Sequence, residues 1–293
     1  MTVPQFRVPE SSSEGVPPLP ESELPEIQGL WIGSSLSEFE ILSIRSFQRA
    51  GHPFRLFTYG NVKGIPDGVI VEDGSAVLNC ALLEPFLRPR ASLAKFADWF
   101  RWQLLASRGG YWVDLDMICL RPFTFRQEVI YGYQQGRLPQ VAVLRFPAGH
   151  IIPTRMADLS ANPHQALAGD PLGRRVRKTW YRLRRADRTR VRWGEGGGND
   201  TFHQILQQEG LAGAGLPFTV FYPIHHVHWE AIFDQTLVQD LTPFQETRGL
   251  HLWNEMVRGY GDKEAVIRSA GPSLYDSLRD LILHGGSSKP SHP

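Results

Sequence analysis

Residues 91–116, ASLAKFADWFRWQLLASRGGYWVDLD, place a helix pattern, two glycines and a strand pattern in direct succession. Apolar side chains recur there at three- and four-residue spacing and predict one buried helix face: Leu93, Phe96, Ala97, Phe100 and Leu104. Gly109 and Gly110 predict the end of this helix. The next residues, YWVDLD, predict a buried strand that runs back antiparallel to the helix. This succession indicates an α/β fold.

Two aspartates, Asp114 and Asp116, stand at the end of that predicted strand. Side chains two residues apart on a strand point to the same side, so both carboxylates are expected at one site while Leu115 enters the core. Like charges this close repel each other and call for a compensating cation. Carboxylate oxygens suit a hard divalent ion, Mn²⁺ or Mg²⁺. A solvated acidic turn is the alternative that the pair alone leaves open.

Asp98 and Arg101 lie on another face of the predicted helix. Eleven helical residues back from Gly109 cover roughly 17 Å, and six strand residues forward cover roughly 20 Å. We therefore expect Asp98 and Arg101 near the level of the two aspartates. The alternative is an ordinary surface ion pair along the helix.

The composition limits the classes of protein to consider. The chain has 293 residues, 42% of them hydrophobic, which is enough for one large domain. A formal net charge of +1 gives no overall case for nucleic acid as a partner. Cys80 and Cys119 are too few for a disulfide framework, so we expect reduced thiols and a cytoplasmic setting. Neither a signal peptide nor a membrane span is expected, so any membrane contact would be at the surface.

The chain has one predicted domain, residues 26–284, between two flexible tails. The first tail, 1–25, is rich in Pro, Ser and Glu, and the second, 285–293, has few core-forming residues in the same manner. Near the start, EIQGLWIG, a helix over about 36–50 and FRLFTYG predict a β-α-β unit with parallel strands. Further along, 155–190 is predicted largely helical, and the remaining predicted elements are strand QVAVLRF, helix NDTFHQILQQEG, strand FTVFYPI, strand RGLHLW and helix SLYDSLRDLIL.

The run from Ala97-Asp98 through Arg101 and Gly109-Gly110 to Asp114-Leu115-Asp116 resembles the A-D-x-x-R…G-G-x-Y-x-D-x-D signature of glycosyltransferases with the sugar-binding DXD region. These belong to sequence family 32, capsular polysaccharide and mannosyltransferase-like enzymes related to the clostridial glucosylating toxins. The similarity extends to LPEIQGLWIGSSLSEFEILSIRSF, WGEGGGNDTF, FYPI and HLWNE, across about residues 24–255.

This resemblance implies a GT-A fold, a Rossmann-like mixed central sheet flanked by helices in a single domain. It implies a metal-dependent, retaining transferase, active in polysaccharide biosynthesis or on a related glycan, glycolipid or protein hydroxyl. The donor would be a nucleotide-diphosphate sugar, with UDP-sugar the first expectation for a hexosyl or N-acetylhexosaminyl group. A catalytically silent sugar-nucleotide or glycan-binding protein of the same fold is the alternative.

Site roles follow from the same resemblance. Asp116 would bind the metal, Asp114 would contact ribose and a metal-bound water, and Asp98 would bond ribose or base. Arg101 would steady the diphosphate or the donor sugar. A nucleotide wall would be formed by Trp31, Ile32 and Gly33, with Trp31 or Tyr59 stacking on the base. A D-x-D phosphatase is disfavoured because DLDMICLRP lacks the residues that such enzymes need after the second aspartate.

Weaker signals lie further along. His251 in GLHLWNE would complete an Asp/His metal site, or it is a packed histidine. Asn199 or the candidate catalytic Asp200, after three glycines, would bond sugar hydroxyls or cap a helix; the family's more usual Gly-Pro is missing there. In YPIHHVHW, strand alternation would place only His226 and His228 on one side, which favours an acceptor edge over zinc.

Residues 174–192, RRVRKTWYRLRRADRTRVR, hold ten of the 31 basic residues. As a helix, this segment would present arginines on nearly every side, with Trp180 and Leu183 among the few apolar side chains. Such a surface would dock on anionic lipid or on a phosphate-bearing acceptor. The alternative is a solvated helix, and we expect no nucleic-acid partner.

Overall fold

A computed structural model describes residues 24–134, 138–234, 247–260 and 273–284. Its central sheet has six strands: β1 (Ile27–Trp31), β2 (Phe54–Thr58), β3 (Ile70–Asp73), β4 (Gly110–Val113), β6 (Ile130–Tyr133) and β7 (Pro139–Phe146). Their order in the sheet is β3-β2-β1-β4-β7-β6. The first four strands in this order are parallel, and β7 runs antiparallel to both β4 and β6. The predicted α/β class with a mixed central sheet flanked by helices is confirmed.

A second, two-stranded ribbon pairs β5 (Met117–Cys119) antiparallel with β8 (Gly249–His251). The α-helices of the described residues are α1 (Glu38–Arg49), α2 (Leu93–Ser107), α3 (Ile151–Ala161), α4 (Leu172–Leu183), α5 (Asn199–Gln208), α6 (Phe218–Phe221), α7 (Asn254–Tyr260) and α8 (Leu274–His284). Within the described ranges, no helix combines the length and the apolar character that crossing a bilayer requires.

The two hydrophobic clusters of the protein lie on opposite faces of β4. Tyr111 and Val113 belong to the cluster that packs against α1, whereas Trp112 belongs to the cluster that packs against α2. All three side chains are at most 1% exposed. Strand β4 is therefore covered on both faces, and polar side chains can be reached only at its end.

The turn between α2 and β4 requires glycine. Gly109 has a φ of +69°, and a Cβ there would lie 2.4 Å from the backbone nitrogen of Ala148. Gln28 of β1 donates from Nε2 to the carbonyl oxygens of Gly109 (2.9 Å) and Tyr111 (3.1 Å), both inside the protein. These bonds fix the start of β4 against β1.

The structure differs from the predicted elements at several points. The segment FTVFYPI, predicted as a strand, contains a short helix, Phe218–Phe221. The apolar run between Pro217 and Pro223 is too short for its residue spacing to distinguish a helix from a strand. The strand predicted as YWVDLD ends at Val113, and Asp114–Asp116 form a turn closed by the Met117 N–H on the Asp114 carbonyl (3.0 Å). The predicted helical region 155–190 is two helices, α3 and α4, with a break between them.

The predicted tails at 1–25 and 285–293 lie outside the described residues except for Leu24 and Pro25. Leu24 is buried, and the Pro25 carbonyl accepts a hydrogen bond from Nδ1 of His52 (2.8 Å). Nε2 of His52 accepts the Phe123 N–H (2.9 Å), so both ring nitrogens are used by a neutral imidazole. Burial lowers the pKa of His52, although the bond to Pro25 opposes this shift.

His52 should make the protein less stable in acid. Below a pH of about 6.5 the unfolded chain protonates this histidine while the folded protein does not, so the free energy of unfolding falls as pH falls toward the lowered folded pKa. His52→Asn keeps a donor for the Pro25 carbonyl but cannot titrate. We expect lower overall stability for this variant and a flatter dependence on pH than the wild type, measured by urea denaturation from about pH 5 to 8. Parallel curves for the two proteins would contradict this assignment.

Candidate metal centre

Three potential metal ligands meet beyond the carboxyl end of β4: Asp114, Asp116 and His251. One ligand atom from each lies within 4.8 Å of the others. The two aspartates occupy the turn between β4 and β5, and His251 ends β8, where it pairs in register with Met117. The ribbon of β5 and β8 therefore brings a histidine from far along the chain beside the aspartates. Both carboxylates face one site through a turn, not through the strand alternation predicted from the sequence.

Asp116 is held as an anion. Its Oδ1 lies 3.1 Å from Nε2 of His251, and its Oδ2 accepts the backbone N–H of Asn254 (2.9 Å). Enclosure in the site opposes ionisation, but His251 and the Asn254 N–H outweigh it and lower the pKa of Asp116.

The pKa of Asp114 is shifted in the opposite direction. Its Oδ1 accepts hydrogen bonds from Nη2 of Arg101 and Nε1 of Trp112, both at 2.8 Å. The pKa of Asp114 is nevertheless raised, because enclosure and the neighbouring Asp116 carboxylate outweigh Arg101. The charge present is thus insufficient to compensate both carboxylates fully, and an added cation would relieve the difference.

The donor set fits a divalent metal. Two carboxylate oxygens and one imidazole suit Mn²⁺, and Mg²⁺ would accept the same oxygens. Nδ1 of His251 is buried and has no hydrogen-bond partner among the described residues, so this ring has an unused nitrogen. Within those residues, this is the one group of three or more acidic, histidine or cysteine side chains with suitable spacing.

Arg101 connects the aspartate pair to α2. It is 4% exposed and lies between Asp114 and Asp98, whose Oδ1 is 3.4 Å from Nη1. Its guanidinium carbon lies 5.2 Å from the centre of the Trp112 ring. Nε of Arg101 is buried without a partner in the described chain. Chain geometry predicted Asp98 and Arg101 near the level of the aspartates, and the structure places Arg101 between Asp98 and Asp114.

The glycine-rich loop before α5 packs on the same side of α2. Trp102 donates from Nε1 to the Gly197 carbonyl (2.7 Å), and Nζ of Lys95 lies 3.3 Å from both the Asp98 carboxylate and the Glu195 carbonyl. A Cβ on Gly197 would lie 2.8 Å from Cβ of Asp98. The close approach of this loop to Asp98 explains why the position takes glycine.

The residues predicted for a nucleotide wall follow the carboxyl ends of β1 and β2, on the same edge as Asp114. Trp31 ends β1, and its buried Nε1 has no partner among the described residues. A side chain on Gly33 would lie 2.9 Å from that nitrogen. Ile32 packs against the α2-side cluster. The Tyr59 hydroxyl donates to the Leu78 carbonyl (2.7 Å), so its polar end is already bonded.

Asp200 and Asn199 lie in the first turn of α5, outside the Asp114–Asp116–His251 group. The N-cap of α5 is Gly198, so the alternative that Asn199 or Asp200 caps this helix is wrong. Asp200 pairs with Nη2 of Arg174 (3.3 Å). Asn199 donates to Gln140 (3.0 Å), and its Oδ1 is buried without a partner in the described residues.

The three neighbouring histidines do not form a strand. His226 begins a 3₁₀ segment, His226–Ile232, so the predicted alternation of His226 and His228 on one side is wrong. The rings of His225 and His226 lie 4.3 Å apart, and His226 bonds to the side chain of Gln134. These contacts explain their packing without zinc.

Asn254, like Trp112, is a site residue that the sequence did not predict. Trp253 has a φ of +54°, rare for a bulky side chain, and this bend aims the Asn254 N–H at Asp116. Nε1 of Trp253 donates to the Ile224 carbonyl (2.9 Å), and its ring lies 4.0 Å from that of His251. The HLWNE motif contains these residues, but their types do not predict the positive φ of Trp253.

One glycosyltransferase family model matches part of this chain. A family model described as "Alpha 1,4-glycosyltransferase conserved region" matches residues 212–278, which include His251 and Asn254. No curated protein matches the chain. The match supports the coarser part of the sequence prediction, a glycosyltransferase, and sequence family 32 stays a prediction.

Two solved structures named as glycosyltransferases have low similarity to this chain. "PaToxG Glycosyltransferase" is 18% identical with a TM-score of 0.42, over 64% of this chain and 73% of that one. The glycosyltransferase GlyE of Streptococcus pneumoniae TIGR4 is 10% identical with a TM-score of 0.37, over 86% of this chain and 66% of its own.

Gly197→Ala should destabilise the protein by about 1 to 3 kcal/mol, because the new Cβ would overpack a filled space. The nearest atom would be Oγ of Ser160 at 2.5 Å, so the additional change Ser160→Ala should restore part of the loss. Gly213→Ala is the matched control, since a Cβ there meets nothing within 4 Å. Urea denaturation measures the free energy of unfolding of the three variants. Equal stability of Gly197→Ala and Gly213→Ala would show that the loop does not pack closely on α2.

Proposed function

We propose that this chain is a metal-dependent glycosyltransferase of the GT-A fold that uses a nucleotide-diphosphate sugar. The observation that carries the proposal is the convergence of Asp114, Asp116 and His251, with ligand atoms within 4.8 Å, beside the buried Arg101. The family match over residues 212–278, which includes His251, supports the same class of enzyme.

The chemistry suits departure of a diphosphate. In glycosyl transfer, the bond between the anomeric carbon and the diphosphate oxygen breaks, its electron pair leaves with the diphosphate, and negative charge develops there. The acceptor oxygen bonds to the anomeric carbon and gives up its proton to the departing diphosphate or to water. A divalent cation held by Asp114, Asp116 and His251 would neutralise that charge as a Lewis acid. Arg101 would add a fixed positive charge at the same edge, in an enclosed setting where it requires no reorganisation. From the family resemblance we propose that Asp98 accepts a hydrogen bond from the ribose or base.

Each half of the site has a proposed substrate group. The nucleotide would lie along Trp31, Ile32 and Gly33, with the indole of Trp31 available for stacking. The glycine-rich loop would face the sugar side, together with Oδ1 of Asn199, which is buried and has no partner among the described residues. From the family resemblance we propose a UDP-sugar donor with a hexosyl or N-acetylhexosaminyl group, retention of configuration, Mn²⁺ as the ion, and a glycan, glycolipid or protein hydroxyl as acceptor.

A second candidate is a sugar-nucleotide-binding protein that does not catalyse transfer. The observation that favours it is the ion pair of Asp200 with Arg174, which engages the carboxylate predicted to act in catalysis. Binding of donor and Mn²⁺ without hydrolysis or transfer would support this candidate.

The aspartate pair should be essential for turnover. Asp116→Asn is expected to lower transfer and donor hydrolysis by on the order of 10² or more, because the charge on the leaving diphosphate is then less compensated. It should also abolish the Mn²⁺-dependent rise in melting temperature, and so should His251→Ala. Asp67→Asn, an exposed aspartate distant in sequence from these ligands, is the matched control. Metal-dependent turnover by Asp116→Asn at the wild-type rate would refute the proposed role.

A panel of nucleotides tests the donor separately. Thermal unfolding with Mn²⁺ and UDP, GDP or their sugar conjugates should show stabilisation by one nucleotide class, about 2.7 kcal/mol at a hundred times its dissociation constant. We expect the UDP series to give the largest shift. If no nucleotide shifts the unfolding of a protein that Mn²⁺ does stabilise, the metal centre stands and the sugar-nucleotide donor fails.

A further inference from the structure

Helix α4 lies with its charged side against the protein. Lys178 is 3% exposed and its Nζ lies 2.9 Å from Asp170, whose carboxylate is fully buried. One turn earlier, Nε of Arg174 lies 3.2 Å from Glu195, which Arg177 also contacts. The contacts of α4 with the fold are therefore largely ion pairs with acidic residues from outside the helix.

The opposite side of α4, which we call the outer face, is apolar. It consists of four side chains at spacings of four, four and three residues, exposed to 75%, 61%, 48% and 78% respectively: Leu172, Val176, Trp180 and Leu183. A surface helix usually has the reverse arrangement, with its apolar stripe against the core. Single exposed apolar residues are common, but a continuous stripe of large ones marks a surface that another partner covers.

Positive charge surrounds this stripe. Arg175 and Arg182 are exposed and each directly precedes a residue of the outer face, Val176 and Leu183. The guanidinium carbon of Arg184 lies 4.3 Å from the centre of the Trp180 ring. Residues 172–183 contain no acidic side chain.

The longer segment 174–192, which extends beyond α4, also has a large excess of basic over acidic residues. Residues 174–192 hold ten basic residues and one acidic residue, a net charge of +9, so the remainder of the chain carries −8. Three of these basic residues, Arg174, Arg177 and Lys178, are paired with acidic residues on the inner side of α4. The exposed arginines near the outer face, Arg175, Arg182 and Arg184, would attract an anionic partner and repel a cationic one.

We propose that the outer face of α4 docks on an anionic lipid bilayer. Leucine, valine and tryptophan would enter the boundary between headgroups and acyl chains, while the arginines along the rim contact lipid phosphates. Nucleic acid would engage the most cationic side of the helix, but that side is turned inward against Asp170 and Glu195. A bilayer uses both features that the outer face presents, exposed apolar area and a cationic rim.

Vesicle flotation of the full chain tests this proposal. We expect binding to vesicles of phosphatidylcholine with about 30% phosphatidylglycerol, weak binding to pure phosphatidylcholine, and weakening as salt rises. Arg175→Gln/Arg182→Gln should weaken binding roughly 30-fold at low salt, since each arginine near an anionic surface contributes about fivefold. Leu172→Ser/Trp180→Ser/Leu183→Ser should weaken it at least roughly tenfold.

Matched controls separate the outer face from general charge and hydrophobicity. Arg49→Gln/Arg258→Gln makes the same change in net charge at exposed positions on α1 and α7, and Leu87→Ser/Tyr260→Ser removes exposed apolar groups elsewhere. Both should bind as the wild type does. Asp116→Asn should also bind normally, so a failed metal centre and a failed docking face give different results. Unaltered thermal unfolding of the outer-face variants confirms that they fold.

Three outcomes would overturn the proposal: no binding to anionic vesicles, equal binding to neutral and anionic vesicles, or unchanged binding by both sets of outer-face variants. A dimer in solution that Leu172→Ser/Trp180→Ser/Leu183→Ser converts to a monomer, without vesicle binding by the wild type, would instead assign the outer face to a second copy of this chain.

Discussion

Two carboxylates, Asp114 and Asp116, share one enclosed site at the carboxyl edge of the sheet, and their repulsion governs the residues around them. Each is compensated from a different part of the chain. Asp114 receives two hydrogen bonds from side chains, Arg101 on α2 and Trp112 on β4, whereas Asp116 faces His251 and the Asn254 N–H. Enclosure and the neighbouring Asp116 carboxylate raise the pKa of Asp114, whereas enclosure is outweighed at Asp116, where His251 and the Asn254 N–H lower the pKa. The architecture holds two like charges together where a cation would stabilise them.

Holding the charges together depends on features of the backbone. The left-handed conformation of Gly109 and Gly110 reverses the chain so tightly that α2 lies against the strand that follows it. Strand β4 is covered on both faces, so its polar continuation can emerge only at its end. The β5–β8 ribbon then fixes His251 opposite Met117, one residue beyond Asp116. Backbone pairing thus sets the spacing of the ligands.

Strong local patterns made a good part of this structure predictable. The periodic segments β1, α1, β2 and α2 were expected from residue types, and chain geometry alone placed Arg101 near the aspartates. Short elements were not predictable in this way. Strand β3 is only half covered, with Ile70 and Val71 41% and 51% exposed, and α6 is an apolar run of four residues that fits either period. The bend at Trp253 that directs Asn254 toward Asp116 depends on tertiary packing, so no local pattern could indicate it.

The orientation of α4 could not be predicted from the sequence either, because it depends on ion pairs with residues outside the helix. The apolar stripe of α4 would by itself predict the opposite orientation, with the stripe against the core. The cationic side is turned inward because its partners, Asp170 and Glu195, lie outside the helix. Glu195 belongs to the loop that packs on α2 through Gly197, and its carbonyl lies 3.3 Å from Lys95, the ion-pair partner of Asp98. Glu195, which pairs with the cationic side of α4, therefore also belongs to the loop that packs beside Asp98. Turning the charges inward leaves the apolar stripe outward, so one set of ion pairs both braces the site and exposes the outer face.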